Sequence, residues 1–380
     1  MTDTREYRIC TNCVMDTTDP GITFDSTGVC DYCHNYRQNI QPVLVKRYAD
    51  PSVLESISKT IQGRHNGKYD CIIGLSGGLD SSYAAHVAIK QMGLRPLLLH
   101  VDAGWNTDQA VSNIACLVDG LDLPLHTEVV NWDEFKDLQR SLFYSGIPDL
   151  DIVQDTAFFS ALYKYATANG IRSVITGGNY TTEGCREPIE WGAYPGIDKT
   201  LISDIHSRFG KRKLDSFPIV DIFQYRLWYR LRYGMRVYRP LDFIPFVKQE
   251  AEATLAQEYG WEPFRHKHHE SRFTRILEDN YLPAKFGFQK RRAHFSSLIN
   301  SGQMLRAQAL DLLESPVLSE DETSAEVEYL CSKLGFSPAD YNELLASPNK
   351  TFADYKSKKK LIDLAASAGR LVTRERRLIR

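Results

Sequence analysis

The sequence predicts an α/β protein built on a doubly wound parallel sheet. Apolar runs over residues 69–75, 96–102 and 173–178 are typical of buried strands, because both faces of such strands are covered. Helical segments separate these runs, and strands that alternate with helices indicate parallel pairing. Small and hydroxylated residues follow the first run, at Ser76–Ser82. Since ligands of such sheets bind at the carboxyl ends of the strands, this turn is a candidate site.

The predicted elements follow one another in a regular order. After the first strand we predict helix 80–92, strand 96–102, helix 106–120, short strand 126–130, helix 154–169 and strand 173–178. Four cysteines and several turn signals lie before the sheet, and the end of the chain is mostly helical in pattern. We therefore divide the chain into a small ribbon, a helical linker, an α/β domain and a helical region, at residues 1–40, 41–64, 65–245 and 246–380.

Composition limits the class of protein. The 380 residues are 43% hydrophobic and 25% charged, which is ordinary for a globular protein. A net charge of −2 provides no overall field that would draw the chain to nucleic acid or to a membrane. There is no apolar signal region at the N-terminus, and no run approaches the roughly 18–20 apolar residues of a membrane span. We expect a cytoplasmic enzyme without membrane contact, and nucleic acid is a disfavoured partner.

The first cysteines have the spacing of a metal site. Cys10, Cys13, Cys30 and Cys33 form the pattern C-x2-C-x16-C-x2-C. Each C-x-x-C pair places two thiolates on one tight turn, and two such turns complete a tetrahedron. We expect a structural Zn²⁺, because four cysteines leave no position for a reactive water. Two disulfides or an iron–sulfur cluster are the alternatives.

The turn after the first strand has the chemistry of a phosphate cradle. Glycines allow the backbone to approach an anion closely, and the first free N–H groups of the following helix point at it. Asp80 can hold Mg²⁺ on phosphate oxygens. No Gly-Lys-Ser/Thr follows, so this is not a Walker loop. The expected phosphate-binding residues are Ser76, Gly77, Gly78, Ser81 and Ser82.

The motif S-G-G-x-D-S-S resembles the pyrophosphate loop of the N-type ATP pyrophosphatases, a HUP-like fold. The resemblance implies that ATP is cleaved to AMP and pyrophosphate, and that a substrate oxygen is adenylated. It also implies nucleotide contacts at the ends of the second and fourth strands. The residues expected to make them are His100, Asp102, Gly177, Gly178 and Asn179. Asp102 has the alternative of a turn or cap residue, and the glycines that of a plain loop.

Polar clusters downstream suit an anionic substrate. The segment 264–275 contains Lys267, His268 and Glu270, and a second basic cluster follows it. Lys267 is the candidate cation for pyrophosphate, and His268 and Glu270 are candidates for proton transfer. A solvated basic helix face is the alternative. The expected substrate-binding residues are Glu183 and Arg186 near the fourth strand and Lys290, Arg291 and Arg292 in the second cluster.

Two further features have competing interpretations. Asp155 is interpreted either as a helix cap or as a polar contact near the reacting centre. The stretch 226–239 is rich in Arg, Tyr and Trp. It could bind nucleic acid, form a dimer interface, or be a helix whose arginines extend along apolar surface.

Several motifs together resemble a narrower family. They are C-x-x-C-V-M-D-T-T-D-P, H-V-D-A-G-W-N, T-G-G-N, R-P-L-D-F-I-P-F-V-K, K-H-H-E-S-R-F-T-R and K-R-R-A-H-F-S-S-L-I-N-S-G-Q-M, with the pyrophosphate loop. As a set, over roughly residues 8–310, they resemble the N-acetyl sugar amidotransferases of surface-polysaccharide and pseudaminic acid synthesis.

This resemblance implies a reaction and its partners. The implied reaction converts an N-acetyl group of a nucleotide-linked diacetamido sugar to an acetamidino group, in lipopolysaccharide O-antigen synthesis. ATP with Mg²⁺ activates the amide oxygen, and ammonia comes from separate proteins that resemble a glutaminase and a cyclase. The sugar, its carrier and the oligomeric state stay open, a homo-oligomer included. Competing functions are a tRNA-modifying pyrophosphatase, either a thiolase or a lysidine-type ligase, and a nucleotide-binding regulatory module.

Overall fold

A five-stranded, all-parallel sheet organises the chain. The structure, a computed structural model, describes residues 5–64, 67–192, 197–362 and 364. The strand order is β3-β2-β1-β4-β5, so the chain extends the sheet first to one side of β1 and then to the other. The carboxyl ends of β1 and β4 therefore form the topological switch point, where ligands of such sheets bind. The strands are β1 (Cys71–Gly74), β2 (Pro96–Asp102), β3 (Leu125–Val129), β4 (Ser173–Ile175) and β5 (Arg236–Tyr238).

Helices precede the sheet, cover both of its faces and follow it. Those before or between the strands are α1 (Asp31–Asn35), α2 (Gln41–Tyr48), α3 (Ser52–Gln62), α4 (Leu79–His86), α5 (Asp108–Leu121), α6 (Trp132–Ser145), α7 (Ile152–Ala168), α8 (Tyr180–Glu183), α9 (Lys199–Phe209) and α10 (Tyr229–Arg232). Those after β5 are α11 (Lys248–Tyr259), α12 (Arg272–Ile276), α13 (Leu282–Phe286), α14 (Arg291–Asn300), α15 (Arg306–Glu314), α16 (Glu320–Leu334) and α17 (Pro338–Ala346). Four π-helical segments lie at Tyr36–Ile40, Val87–Gln91, Gln224–Trp228 and Leu277–Tyr281.

The α/β class and the parallel pairing are confirmed. All four predicted strands form, and β1 pairs in parallel with both β2 and β4. The domain boundaries remain predictions, and residues 365–380 of the predicted C-terminal region lie outside the described part of the chain.

Several elements were not predicted from the sequence, among them helix α6 and strand β5. Helix α6 follows Asn131, whose side chain accepts hydrogen bonds from the backbone N–H groups of Asp133 and Glu134. Asn131 is a typical helix cap, but charged residues such as Glu134 interrupt the apolar pattern by which a helix is predicted. Glu134 can be buried because its carboxylate accepts a hydrogen bond from the backbone N–H of Phe217. Strand β5 lies within the arginine-rich stretch and forms an edge of the sheet, where exposed side chains hide the strand pattern.

Alternate strand residues supply two hydrophobic cores. Ile72, Leu97 and Leu99 face α6 and α7, whereas Ile73 and Leu98 face α4, α5 and α11. Because side chains alternate across a strand, apolar residues in succession can cover both faces of the sheet.

The N-terminal ribbon is fixed to the helices after the sheet. The backbone N–H of Val14 donates to Ser296 Oγ over 3.2 Å, and Arg306 donates to the carbonyl oxygens of Cys10 and Cys13. Helix α14 therefore contacts the ribbon with one of its faces.

Arg292 belongs to this attachment and not to a substrate site, in contrast to the expectation. Its Nε lies 2.9 Å from Oδ2 of Asp16, a fully buried carboxylate, and its guanidinium also donates to the carbonyl of Val14. The sequence offered no sign of this role, because Asp16 is distant in the chain.

None of the helices that the structure describes is long and apolar enough to cross a membrane.

We predict that Arg292→Ala destabilises the protein by about 3 kcal/mol or more, because it leaves the Asp16 carboxylate buried and unpaired. Urea unfolding measures the change. Arg212→Ala is the matched control, since its ion pair with Asp133 is exposed and contributes about 0–1 kcal/mol. Equal effects of the two variants would contradict the attachment described here.

Candidate active site

The turn after β1 is a preformed loop at the N-terminus of α4. Gly77 has φ +84°, and a Cβ on it would lie 2.6 Å from the carbonyl oxygen of Ala110, so only glycine fits. Ser76 Oγ lies 3.1 Å from Ser81 Oγ, which in turn donates to the carbonyl of Gly78. The serines hold the loop in shape, and the helix that follows directs its free N–H groups outward.

The loop after β4 packs directly on this turn. A Cβ on Gly177 would lie 2.3 Å from the backbone carbonyl carbon of Asp80. Asn179 is fully buried and caps α8 by accepting from the backbone N–H of Thr182. Its Nδ2 also donates to Asp80 Oδ1 over 3.3 Å. Asn179 therefore orients Asp80 from behind, and does not face the cavity.

Lys267 is held between two carboxylates at the loop. Its Nζ lies 3.1 Å from Asp80 Oδ2 and 2.7 Å from Glu183 Oε1. Burial alone would lower the pKa of Lys267, but the two carboxylates outweigh it and the pKa is raised. Burial would likewise raise the pKa of Glu183, but Lys267 outweighs it and lowers that pKa to about 2. Lys267 is therefore a fixed cation beside the phosphate loop.

Glu270 brings a carboxylate to the same loop. Its Oε1 accepts a hydrogen bond of 3.2 Å from Ser76 Oγ and lies next to Gly78. Its carbonyl accepts from the backbone N–H of Thr107, which ties it to the segment after β2. A phosphate bound here would be repelled by Glu270 unless a cation lay between them.

A cavity of about 580 Å³ opens at this loop. Of the residues expected to bind the nucleotide or its metal, Ser76, Gly78, Asp80, Ser81, Gly177 and Gly178 line it. One wall is apolar and is made by α7 and β4, with Phe158, Phe159, Leu162 and Ile175. A flat apolar recess beside a phosphate loop suits a nucleotide base.

Two imidazoles, His268 and His294, also line the cavity, and they differ in charge state. His268 Nδ1 lies 3.1 Å from Glu278 Oε1. Burial opposes protonation, but Glu278 prevails and raises the pKa of His268 to about 9. The ring of His294 lies 5.1 Å from that of His268. Burial and the neighbouring His268 lower the pKa of His294 to about 3, so it is neutral.

His268 is held in an unusual backbone conformation. Its φ of +64° is rare for a residue with a side chain, and such strain is common at functional sites. The conformation directs His268 to Glu278, while its neighbour His269 binds Asp279 on another side.

Carboxylates gather next to this pair. Lys290 Nζ lies 3.0 Å from Glu187 and 3.8 Å from Glu278. Asp149, Asp151 and Asp155 all interact with Lys290, and burial raises the pKa of each, that of Asp151 to about 7. The raised pKa values favour the neutral forms of Asp149, Asp151 and Asp155, whereas Glu187 and Glu278 are paired with Lys290 and His268. A positively charged guest would favour the ionised carboxylates, so this region suits such a guest. Asp155 therefore interacts with this charged region, and its role as a contact near the reacting centre stays a prediction.

Eight residues expected at the nucleotide or the substrate do not line the cavity: Gly77, Ser82, His100, Asp102, Asn179, Arg186, Lys290 and Arg292. Ser82 is fully buried in α4. His100 donates from Nδ1 to the carbonyl of Leu75 and accepts from Asn106, so both ring nitrogens serve the fold. Asp102 accepts from the backbone N–H of Gly104, the alternative role of a turn residue. Arg186 is exposed outside the cavity.

The basic cluster at the start of α14 is divided among three places. Arg291 lines the cavity and donates to the carbonyl of Leu312 over 3.0 Å. Lys290 lies among the carboxylates, and Arg292 binds the ribbon. Three adjacent residues thus point in three directions, because a helix turns by about 100° per residue.

The four ribbon cysteines form one buried cluster. All four sulfurs lie within 4.8 Å of one another. The sulfurs of the pairs Cys10–Cys33, Cys13–Cys30 and Cys30–Cys33 are 3.6–3.9 Å apart. A disulfide needs about 2.05 Å, whereas a tetrahedral zinc with bonds of about 2.3 Å places its sulfurs about 3.8 Å apart. The sulfurs therefore fit a single tetrahedral ion and no disulfide.

Glu278 and His294 were missed as site residues. Glu278 had no clear signal, because the segment 273–282 mixes apolar residues with Thr274, Arg275, Asp279 and Asn280. His294 had none, since its place beside His268 depends on how two distant segments pack.

Glu278→Gln should change the pH dependence of stability. Because His268 has a raised pKa, its protonated form contributes stability fully below its ordinary pKa of 6.5, and this contribution is lost as pH rises through about 9. Urea unfolding between these pH values should show a decline for the native protein and a flatter profile for the variant. Glu314→Gln, at an exposed position, is the control. A decline that is unchanged in Glu278→Gln would refute this charge pair.

Comparison with known proteins finds one similarity to a family model, over the last part of the chain. Residues 270–368 match the sequence model of the family described as LPS biosynthesis protein WbpG-like, C-terminal domain. No curated protein matches the chain.

Similar solved structures share low identity with the chain. An NMN synthetase from Francisella tularensis is 15% identical, with a TM-score of 0.27, and the match covers 57% of this chain and 95% of that one. An NH3-dependent NAD synthetase from Campylobacter jejuni subsp. jejuni, in complex with nitrate, is 16% identical, with a TM-score of 0.29 and coverage of 58% and 83%. At these scores neither likeness adds to what the strand order and the loop show. The family match covers about a quarter of the chain, whose residues 270–368 are similar to the C-terminal domain of WbpG-like LPS biosynthesis proteins. The parallel sheet and the loop at its switch point show an α/β fold with a candidate phosphate site.

Proposed function

We propose that the chain is an ATP-dependent amidotransferase of O-antigen synthesis. It converts an N-acetyl group of a nucleotide-linked diacetamido sugar to an acetamidino group. The observation that carries the proposal is the change of charge along one region, from the cationic phosphate loop at Lys267 to the carboxylates around Glu278.

This change of charge matches the reaction. An amide is neutral, but the amidine that replaces it is a cation at neutral pH. Carboxylates buried near the reacting carbon would stabilise that cation, and the proton lost by ammonia needs an acceptor. A sugar carboxylate or phosphate would be repelled by the same carboxylates and would bind nearer Lys267 and Arg291.

The first step uses the loop end of the cavity. The amide oxygen attacks the α-phosphorus of ATP, and the bond to pyrophosphate breaks. The backbone N–H groups at the start of α4 and the cationic Lys267 stabilise the departing pyrophosphate. The result is an O-adenylated imidate, which has AMP as its leaving group.

Asp80 and Glu270 are the residues that would hold Mg²⁺. Both present carboxylate oxygens at the loop, and such hard oxygen donors are what Mg²⁺ prefers. When bound, the ion would neutralise the charge between these carboxylates and the phosphates.

The second step uses the part of the cavity lined by His268 and His294. Ammonia attacks the imidate carbon, the bond from carbon to the former amide oxygen breaks, and AMP departs with that oxygen. His268 is protonated at neutral pH and therefore serves as a cation or proton donor. The carboxylates around Lys290 are the candidate acceptors for the proton that ammonia loses, Asp151 above all, since its pKa of about 7 is near the working pH.

The ammonia comes from a separate glutaminase and cyclase-like partner. A glutaminase of the cysteine type needs an accessible, activated thiol. Outside the ribbon, burial raises the pKa of Cys71, Cys116, Cys185 and Cys331, so none is such a nucleophile. The same burial of Cys185 disfavours a thiolating tRNA enzyme, the competing function.

The ribbon would hold a structural Zn²⁺ through Cys10, Cys13, Cys30 and Cys33. Since the ribbon is bound to one face of α14, and Arg291 and His294 on the same helix line the cavity, the ion would support the cavity from a distance.

The test incubates the full chain with ATP, Mg²⁺, ammonium and a UDP-diacetamido sugar. Mass spectrometry should find AMP and a product about one mass unit lighter, since NH replaces O. Asp80→Asn should lower turnover by about 10²–10³-fold, the cost of removing one charged group that acts at the phosphates.

Asp108→Asn is the matched control, because Asp108 has the same place in the first turn of α5 but is exposed. Neither AMP nor a lighter product would refute the proposal. ATP binding without AMP formation would favour the regulatory module instead.

A further inference from the structure

Residues 222–240 form an unusual surface segment. They contain five arginines, several aromatic residues and no acidic residue, in a chain whose net charge is −2. The exposed large apolar side chains of this segment include Phe223, exposed to 42%, Leu227 to 50%, Trp228 to 53% and Leu231 to 79%. We call these four residues, with Arg230, Arg232 and Arg236, the basic apolar patch.

The segment that carries the patch packs on the protein through aromatic residues on its inner side. On the inner side of the same segment, Tyr225 and Tyr229 pack on Tyr163 with ring centroids 5.1 and 4.8 Å apart. Tyr225 also contacts Phe159, which lines the nucleotide cavity. The inner aromatic residues fix the orientation of the segment on the protein. The apolar residues on its outer side are therefore exposed in the folded, packed segment.

The arrangement combines an apolar centre with a cationic rim. Phe223, Leu227 and Leu231 are spaced by four residues, which places them along one side of the helical segment. Arg230, Arg232 and Arg236 are exposed beside them. Lys358 also lies at this edge, with its Nζ 5.0 Å from the centre of the Phe223 ring, but it is paired with Asp221, so the rim charge comes from the arginines.

We propose that the basic apolar patch binds the surface of an anionic lipid bilayer. Acidic head groups pair with the arginines while the apolar residues enter the boundary with the acyl chains, as in interfacial amphipathic helices. This goes beyond the proposed function and does not depend on it. It also departs from the expectation of no membrane contact, which rested on the lack of a spanning segment and on net charge.

Other occupants fit the patch less well. A second copy bound across a two-fold axis would place arginines against arginines. A nucleic acid would pair with the arginines, but it would leave Leu227 and Leu231 against phosphates and solvent. A bilayer supplies both anionic and apolar groups, and it needs no groove to receive a convex helix.

The test measures sedimentation of the full chain with vesicles. We expect binding to vesicles of equal parts phosphatidylglycerol and phosphatidylethanolamine, and little binding to phosphatidylcholine vesicles. Added salt should weaken the binding, because the attraction to the head groups is screened. Binding to neither vesicle, or equally to both, would overturn the proposal.

Variants locate the contact on the surface. Arg230→Gln with Arg232→Gln should lower vesicle affinity about thirtyfold, since each arginine contributes roughly a factor of five. Trp228→Ser with Leu231→Ser should lower it about tenfold or more. Leu305→Ser, at a leucine exposed to 69% elsewhere, is the matched control and should leave binding unchanged. Thermal unfolding checks that all variants fold.

The remaining outcomes decide between surfaces. If the patch variants bind vesicles as well as the native chain, the patch is not the membrane contact and the proposal is wrong. If vesicles do not bind and the same variants dissociate a dimer in light scattering, the patch is an interface between copies. If they instead abolish glutamine-dependent but not ammonium-dependent turnover with the purified glutaminase, it is a protein-docking surface. Either result overturns the membrane assignment.

Discussion

Lys267 joins three segments that are far apart in the chain. Its ammonium group lies between Asp80 on the first turn of α4 and Glu183 at the end of α8, and it belongs itself to the loop before α12. Without this cation the two carboxylates would face each other beside the phosphate loop, where their repulsion is weakly screened. Together with Asn179 this ion bridge orients Asp80. Together with the hydrogen bonds from Ser76 to Glu270 and from Trp261 to Gly77 it holds the segment before α12 on the phosphate loop. The same cation stands where pyrophosphate would leave, so the interaction that holds this segment on the loop also equips the cavity for ATP chemistry.

Charge is separated along the region next to this bridge. Lys267 and the helix N-terminus make one end attractive to phosphate, while Glu278, Glu187 and Asp155 make the other attractive to a cation. Buried carboxylates without full compensation are costly, so the fold keeps them at the expense of stability, as proteins do at working sites. His268 and His294 lie between the two ends in opposite protonation states.

The sequence predicted the parts of this design that depend on local pattern. Four strands, the loop at Ser76–Ser82 and the cysteine cluster follow from residue spacing, because each is formed by residues that are close in the chain or share one repeated motif. It could not predict which neighbour each charged residue would meet. The sequence suggested one basic cluster at Lys290, Arg291 and Arg292. In the structure Lys290 binds carboxylates, Arg291 lines the cavity and Arg292 binds the ribbon. His100 and Asp102 stand at a strand end where ligands commonly bind, but their hydrogen bonds are taken by the fold.

In the proposed mechanism, the oxygen of the substrate amide is adenylated and leaves with AMP. An N-acetyl sugar labelled with oxygen-18 in the amide carbonyl tests it directly, with AMP and product analysed by mass spectrometry after a single turnover. Adenylation of the amide oxygen predicts that the label appears in the phosphate of AMP, with one label for each amidine formed. Amidine formation with unlabelled AMP, or release of the label into water, would contradict it.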